Sequence, residues 1–346
     1  MPFYNKIDKK TKEGKRTVEG LFRLKKQLKE EVPMRNLNDN ILLGTWNIRE
    51  FDSPAYGERK EESIMYIAEI ISHFDIVAIQ EVRANLKALK KLKYRLGSNW
   101  DYIVSDVTSG KKGNKERMAF LFDTRKITFG GLAGELVLSP IRDKEVSQIA
   151  RTPFMCGFNA GWINFVLSTV HIIYGENNKN NLERIKEIEE IAVVIKNKAE
   201  DENSWSKNFV LLGDFNIYSP KDKTMEALQK NKFIVPDDLK KLPSNAIKNK
   251  HYDQIAFPLN SDLKRTNNSG VFDFFKSVYR IEDEIEYIKE MGDNYYKTSK
   301  GEIRTSKSKK SYYKTYWRTH QMSDHLLMWI ELEINQSHKY LLREKV

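Results

Sequence analysis

Phe209-Val210-Leu211-Leu212-Gly213-Asp214-Phe215-Asn216 is a short apolar run closed by a glycine, an acid and, two positions later, an amide. A run of this length bounded by such a turn reads as a buried strand. Asp214 and Asn216 at its end are spaced to face the same phosphate. Other apolar runs share this form. Ile41-Leu42-Leu43-Gly44-Thr45-Trp46-Asn47, Ile76-Val77-Ala78-Ile79-Gln80-Glu81 and Val166-Leu167-Ser168-Thr169-Val170-His171 end in an amide, an acid and an imidazole. Ser323-Asp324-His325 stands at the head of another, Leu326-Leu327-Met328-Trp329-Ile330. Strand ends that bring carboxylates, amides and imidazoles to one sheet edge make a hydrolytic metal site.

Working outward, strands and helices alternate. Further strands are predicted at 102–105, 118–122, 126–129, 153–159, 161–171, 252–257 and 325–333, with helices at 58–73, 84–95 and 181–199. The last helix repeats Leu182, Ile185, Ile188, Ile191, Ala192 and Ile195 on one stripe. Adjacent hairpins make this mixed α/β rather than a strict βαβ array. A chain of 346 residues suits a single large α/β domain. There is no internal repeat and no Gly-rich phosphate loop, so no nucleotide cofactor is expected.

The net charge of +11 is unevenly placed. Residues 1–38 hold eleven Lys/Arg against five Asp/Glu, and residues 297–318 hold eight against one. Such segments bind polyanions, or serve only as solubilising lysines. Thr17–Leu28 has apolar residues at helical spacing with cations between, and Pro33 ends it. Residues 1–38 therefore read as a basic helical appendage to a catalytic domain at 39–346. In the second segment Lys307, Lys309, Lys310 and Lys314 are interleaved with Tyr312, Tyr313, Tyr316 and Trp317. That mixture suits phosphate tracking with base stacking; alternatively the aromatics pack the segment down. No run of about 18 apolar residues predicts a membrane span, so no membrane partner is expected. The polar stretch Met1–Lys15 lacks a signal core. The single cysteine, Cys156, permits no internal disulfide and suits a reducing cytoplasm.

Taken in order, Trp46-Asn47, Gln80-Glu81, His171, Gly213-Asp214-Phe215-Asn216, His251-Tyr252-Asp253-Gln254-Ile255 and Ser323-Asp324-His325 resemble the motifs of the endonuclease/exonuclease/phosphatase superfamily, across most of residues 41–333. Lys115-Glu116-Arg117-Met118-Ala119-Phe120-Leu121-Phe122 and Arg151-Thr152-Pro153-Phe154 resemble segments of its deoxyribonuclease-I-like branch. The abasic-site endonucleases usually carry Lys where Arg83 stands and Tyr where His171 stands. The resemblance implies a four-layer α/β sandwich: two facing mixed β-sheets flanked by helices, with the site at one edge.

Within that frame each residue has an expected task. Glu81 and Asp324 are hard oxygen ligands for Mg²⁺, with Mn²⁺ or Ca²⁺ as substitutes. Asn47 bridges metal-bound water and phosphate, or simply closes its strand. His171 and His325 form an acid/base pair. By resemblance Glu116 orients His171 and Asp253 orients His325. Asp214 holds the nucleophilic water or the metal, and Asn216 donates to the charge growing on phosphate oxygens. Arg151 is a phosphate clamp or a surface salt bridge. The expected activity is metal-dependent hydrolysis of nucleic acid, with DNA the expected partner and a DNase-I-like endonuclease the leading form. Alternatives are a phosphatase or lipid phosphodiesterase with the same core, and a binding module that has kept the fold without catalysis.

Overall fold

The computed structural model describes residues 2–51, 53, 58–108, 114–137, 149 and 151–344. The N-terminal half runs α1 (Lys12–Glu31), β1 (Asn40–Phe51), α2 (Glu61–Ile71), β2 (Ile76–Arg83), α3 (Lys87–Leu96), β3 (Trp100–Val104), β4 (Glu116–Asp123) and β5 (Thr128–Glu135). It continues with β6 (Phe154–Ala160), β7 (Ile163–His171), α4 (Leu182–Glu200), β8 (Phe209–Asp214) and α5 (Lys223–Lys230). The remaining strands are β9 (Phe233–Ile234), β10 (Asp253–Pro258), β11 (Arg265–Phe272) and β12 (Leu327–Glu333).

The strands form two six-stranded sheets, ordered β11-β12-β1-β2-β4-β3 and β5-β6-β7-β8-β10-β9. Each sheet has one parallel pair, β1 with β2 and β7 with β8; the other pairings are antiparallel. A parallel neighbour requires a crossover, and α2 and α4 supply the two crossovers. Both parallel pairs thus end at a sheet edge where the chain turns into a loop.

Side chains alternate across a strand, so each strand sorts its apolar residues into two rows. Ile41 and Leu43 of β1, Ile76 and Ala78 of β2, Phe165 and Leu167 of β7, and Val210 and Leu212 of β8 point between the sheets into one cluster. Leu42, Trp46, Val77 and Ile79 face outward beneath α1, α2 and α3. Val166, Val170 and Leu211 face outward beneath α4 and α5. Helix, sheet, sheet and helix make four layers, as expected.

The break expected at residue 38 is not there. Thr11 caps α1 by accepting from Gly14 N at 3.0 Å. Leu21, Leu24, Leu28 and Val32 then enter the outer core of the first sheet. A Cβ at Gly20 would lie 2.3 Å from the Tyr66 hydroxyl, so this glycine lets α1 press against α2. Arg16 pairs with buried Glu62 at 2.7 Å. Arg35 reaches buried Asp75 at 2.7 Å and Asp123 at 2.6 Å. Residues 1–38 are part of the first sheet's helical layer. The apolar stripe seen in the sequence needed a partner, and α2 is that partner. Among the described residues no helix is long and apolar enough to cross a membrane.

Candidate active site

The inward row of each central strand changes character along its length. In β1 it runs Ile41, Leu43, Thr45, Asn47; in β7 it runs Phe165, Leu167, Thr169, His171. In β2 it ends in Gln80, in β8 in Asp214, and β10 and β4 begin it with Asp253 and Glu116. The inter-sheet space is therefore apolar at depth, polar at an intermediate level and ionic at the rim. At the polar level Gln80 Nε2 donates to Thr45 Oγ1 at 3.1 Å and to Thr169 Oγ1 at 2.8 Å, tying the two sheets together.

Above that tie the pairs cross from sheet to sheet. Glu116 Oε2 lies 2.7 Å from His171 Nδ1, and Asp253 Oδ2 lies 2.9 Å from His325 Nδ1. Asn47 Nδ2 donates to Glu81 Oε1 at 2.9 Å and to Asp214 Oδ2 at 3.0 Å. The same Asp214 oxygen is 3.5 Å from His171 Nε2 and 3.7 Å from His325 Nε2. With each Nδ1 engaged by a carboxylate, each Nε2 is left facing Asp214.

Local backbone sets these directions. On a regular pleat Glu81 would share the outward face of Ile79. The register shifts between Ile79 and Val82, and Glu81 has φ 61°, which turns its side chain back to the site. Its Oε2 accepts from Glu50 N at 2.7 Å, and Glu50 is also left-handed, with φ 50°. Arg83 bonds the Glu50 carboxylate and donates to the Asn114 carbonyl. Gly213 is required where it stands: φ is +133° and a Cβ would meet the Val170 carbonyl oxygen at 2.2 Å. Ser323 anchors the last turn, donating to Asn47 O at 2.6 Å and accepting from His325 N at 3.0 Å.

Burial and charge oppose each other here. Burial disfavours the Glu116 carboxylate, but His171 and Arg151 outweigh it and hold the carboxyl down to about 2. Burial also disfavours both imidazolium ions. Glu116 and Asp214 nevertheless raise His171, and Asp253 and Asp214 raise His325 well above the ordinary histidine range. Burial pushes Glu81 up; His171 works against this, while Glu116 and Asp324 add to it.

Several expected placements change. Asp324 is at the rim rather than buried: its side chain is 44% exposed and 3.7 Å from Arg49 Nε, within electrostatic reach of Glu81. Arg49 also donates to Thr319 Oγ1 at 2.6 Å. Arg151 is not a surface ion: it is buried, with Nε 3.3 Å from Glu116 Oε2. Asn216, with φ 52°, donates its amide to Ile172 O at 2.8 Å, so one of its two amide hydrogens is already committed. Of the aromatic stretch, Tyr313 and Trp317 turn into the core, whereas Tyr312, half-buried against it, and exposed Tyr316 stack on each other with centroids 5.4 Å apart. Lys307, Lys309 and Lys310 lie on the exposed helix Ser306–Ser311, with Lys314 on the turn after it. Arg49 and Glu50 are supports that sequence reasoning did not single out, and Arg83, noted there only as replacing a Lys, supports Glu50. The signal available for them was their position just past the motifs Trp46-Asn47 and Gln80-Glu81.

The donor set fits a hard divalent cation. Among the described residues Asn47 Oδ1 is buried without a hydrogen-bond partner beside the Glu81 carboxylate, and Asp214 shares the Asn47 amide. Oxygen ligands of this kind suit Mg²⁺, Mn²⁺ or Ca²⁺. Asp214, Asp253 and His325 also bring ligand atoms within 4.8 Å of one another. There Asp253 Oδ2 is engaged by His325 Nδ1, while Asp253 Oδ1 is buried without a hydrogen-bond partner among the described residues.

No protein-family model matches the chain, and a search of curated proteins finds no match. Solved structures do match. An endonuclease/exonuclease/phosphatase family protein from Bacteroides thetaiotaomicron shares 17% identity over 86% of this chain and 98% of its own, with a TM-score of 0.51. This chain has the endonuclease/exonuclease/phosphatase fold. Two more structures with this fold differ in their chemistry. D. rerio TDP2 complexed with a single-strand DNA product is 11% identical over 85% of this chain and 98% of its own, TM-score 0.51. The B. thetaiotaomicron mannosyl-6-phosphatase is 16% identical over 84% and 99%, TM-score 0.50. The endonuclease/exonuclease/phosphatase fold thus accounts for the facing sheets, while the site and the substrate have to be argued from this chain's own residues.

Proposed function

We propose that the chain is a divalent-metal-dependent phosphodiesterase that cleaves nucleic acid, with a DNase-I-like endonuclease as its leading form. One observation carries the chemistry: two imidazole–carboxylate pairs and one amide converge on Asp214 Oδ2. Phosphodiester hydrolysis needs a deprotonated water on one side of phosphorus and a stabilised leaving oxygen on the other. The carboxylates around each imidazole raise it and so favour the protonated ring. Asp214, faced by both Nε2 atoms, is assigned as the proton acceptor for water. The two Nε2–H groups donate to the phosphate, and the one beyond phosphorus protonates the departing oxygen. Glu116 and Asp253 hold the rings and their charge. Glu81 and Asn47, with Asp324 at the rim, would hold the cation, which when bound supplies Lewis-acid stabilisation of the phosphoryl oxygens.

For the substrate, the exposed lysines of Ser306–Ser311 and the solved single-strand DNA product complex of D. rerio TDP2 support nucleic acid. The second reading, a phosphatase, is favoured by the mannosyl-6-phosphatase that shares the fold. Incubating the purified protein with plasmid, single-stranded DNA, RNA, inositol phosphates and mannose 6-phosphate, with Mg²⁺ or EDTA, separates them. Cleavage of polynucleotide that EDTA abolishes is expected. Release of phosphate from the monoesters with intact polynucleotide would replace the first reading by the second.

A further inference from the structure

Three loops of the site carry tyrosines that hydrolysis does not use. Tyr174 follows the strand that ends in His171, Tyr218 follows Asn216, and Tyr252 directly precedes Asp253. Their rings form one wall, with centroids 6.0 Å apart for Tyr174–Tyr218, 5.7 Å for Tyr218–Tyr252 and 6.5 Å for Tyr174–Tyr252. Tyr252 is stacked in turn on the His325 imidazole, at 5.3 Å with 29° between the planes.

The wall is closed at its back and open at its front. Tyr218 is 7% exposed, whereas Tyr174 is 40% exposed. The Lys250 ammonium covers the Tyr218 ring, 3.3 Å from its centroid. Tyr174 is nonetheless held at several points. Its hydroxyl donates to Asn177 Oδ1 at 3.0 Å, the oxygen that also accepts from the Tyr218 hydroxyl at 2.8 Å. Its carbonyl accepts from buried Arg184, whose guanidinium carbon lies 5.5 Å from the Tyr174 ring centre. An exposed ring normally keeps its rotational freedom. One already fixed loses little entropy when a ligand covers it.

We propose that Tyr174 is a stacking platform for a nucleobase of the substrate, flanking the scissile phosphate on the side of His325. The inference rests on the nucleic-acid reading above and deepens it, since it makes planar rings the feature that this shoulder of the site selects. Every base has a π-face, so such a platform favours polynucleotides over sugar or inositol phosphates without reading sequence. Lys250, on the face of Tyr218, adds positive charge beside the path of the backbone.

The test is equilibrium binding of the full chain, in EDTA, to a fluorescent single-stranded DNA and to a strand of equal length built from base-free residues. Tyr174→Ala should weaken binding of the base-bearing strand by roughly 5- to 150-fold, the range for loss of one stacked base. It should leave the base-free strand unchanged, and Tyr174→Phe and Tyr174→Trp should restore the difference. Equal weakening on both strands, or none on either, overturns the proposal; melting curves of each variant identify a loss that comes from misfolding, and Tyr174→Phe, which keeps the ring, then decides. If the unsubstituted protein neither binds nor cleaves any strand, the nucleic-acid reading fails and the platform falls with it. If it binds and cleaves while Tyr174→Ala is indifferent, only the platform falls.

Discussion

Glu81 differs from the other buried acids of the site. Glu116 and Asp253 each bond an imidazole directly, whereas Glu81, among the described residues, accepts from the Asn47 amide and the Glu50 backbone. Its nearest imidazole nitrogen is 3.9 Å away. Neutralising a largely buried carboxylate without a bonded cation is favourable, while the Gln amide can accept from only one of Asn47 Nδ2 and Glu50 N, so Glu81→Gln should change the melting temperature of the metal-free protein little. The same substitution should abolish turnover and weaken Mg²⁺ or Mn²⁺ binding in calorimetry. Metal affinity and turnover at the parent level would remove Glu81 from the cation site. For the imidazoles, His171→Ala and His325→Ala should each lose about 10²–10⁴-fold in kcat. Asp253→Asn provides a finer test. Burial lowers His325, and Asp253 is the largest of the charges that raise it. Neutralising Asp253 therefore lowers the His325 pKa and should move the alkaline limb of the kcat profile to lower pH. An unmoved limb would mean that His325 does not react as the imidazolium.

At the scale of elements, what could be read from the sequence was the strand whose two rows are both apolar. β1, β2, β7 and β8 announce themselves, and the polar residue that ends each inward row is where the site lies. Glu116 and Asp253 are harder to read, because they stand at strand starts and acquire meaning only from the imidazole opposite. β11, Arg265-Thr266-Asn267-Asn268-Ser269-Gly270-Val271-Phe272, gives no such signal: it is polar, lies at a sheet edge and has no alternation to detect. The turned-back direction of Glu81 comes from a bulge, which leaves no sequence period. The aromatic stretch was half legible. Its composition leaves stacking and packing-down both open, and does not show that Tyr313 and Trp317 are buried in the core, Tyr312 half-buried against it and Tyr316 exposed. The exposed lysines beside it carry a prediction. Neutralising Lys307, Lys309, Lys310 and Lys314 together should flatten the dependence of log affinity on log salt, by about 0.7–0.9 for each phosphate that these cations no longer neutralise. Hydrolysis of a small chromogenic phosphodiester should stay at the parent rate. An unchanged salt slope would remove this helix from the substrate path.

At the scale of the molecule, the layer formed by α1 decides what can be cut away. Removing residues 1–38 strips Leu21, Leu24, Leu28 and Val32 from a core and leaves Glu62, Asp75 and Asp123 without Arg16 and Arg35. Breaking one buried ion pair from one side costs about 3–5 kcal/mol, against a usual total stability of about 5–15 kcal/mol. The truncated chain should show no cooperative melting transition; a normal transition with parental activity would restore the view of this segment as an appendage.

The crossing pairs have a consequence for when the protein can act. Neither sheet owns a working half: His171 borrows Glu116, His325 borrows Asp253, and Asn47 of one sheet steadies Asp214 of the other. On the proposed hydrolysis, this arrangement is an interlock. A chain still emerging from the ribosome would be silent until His325 arrives, and a clipped or half-folded copy would be silent too. Slight parting of the layers in the mature protein would switch it off well before the helices melt. Turnover is then a gauge of closure, able to report a separation of the sheets that spectroscopic measures of secondary structure would pass over.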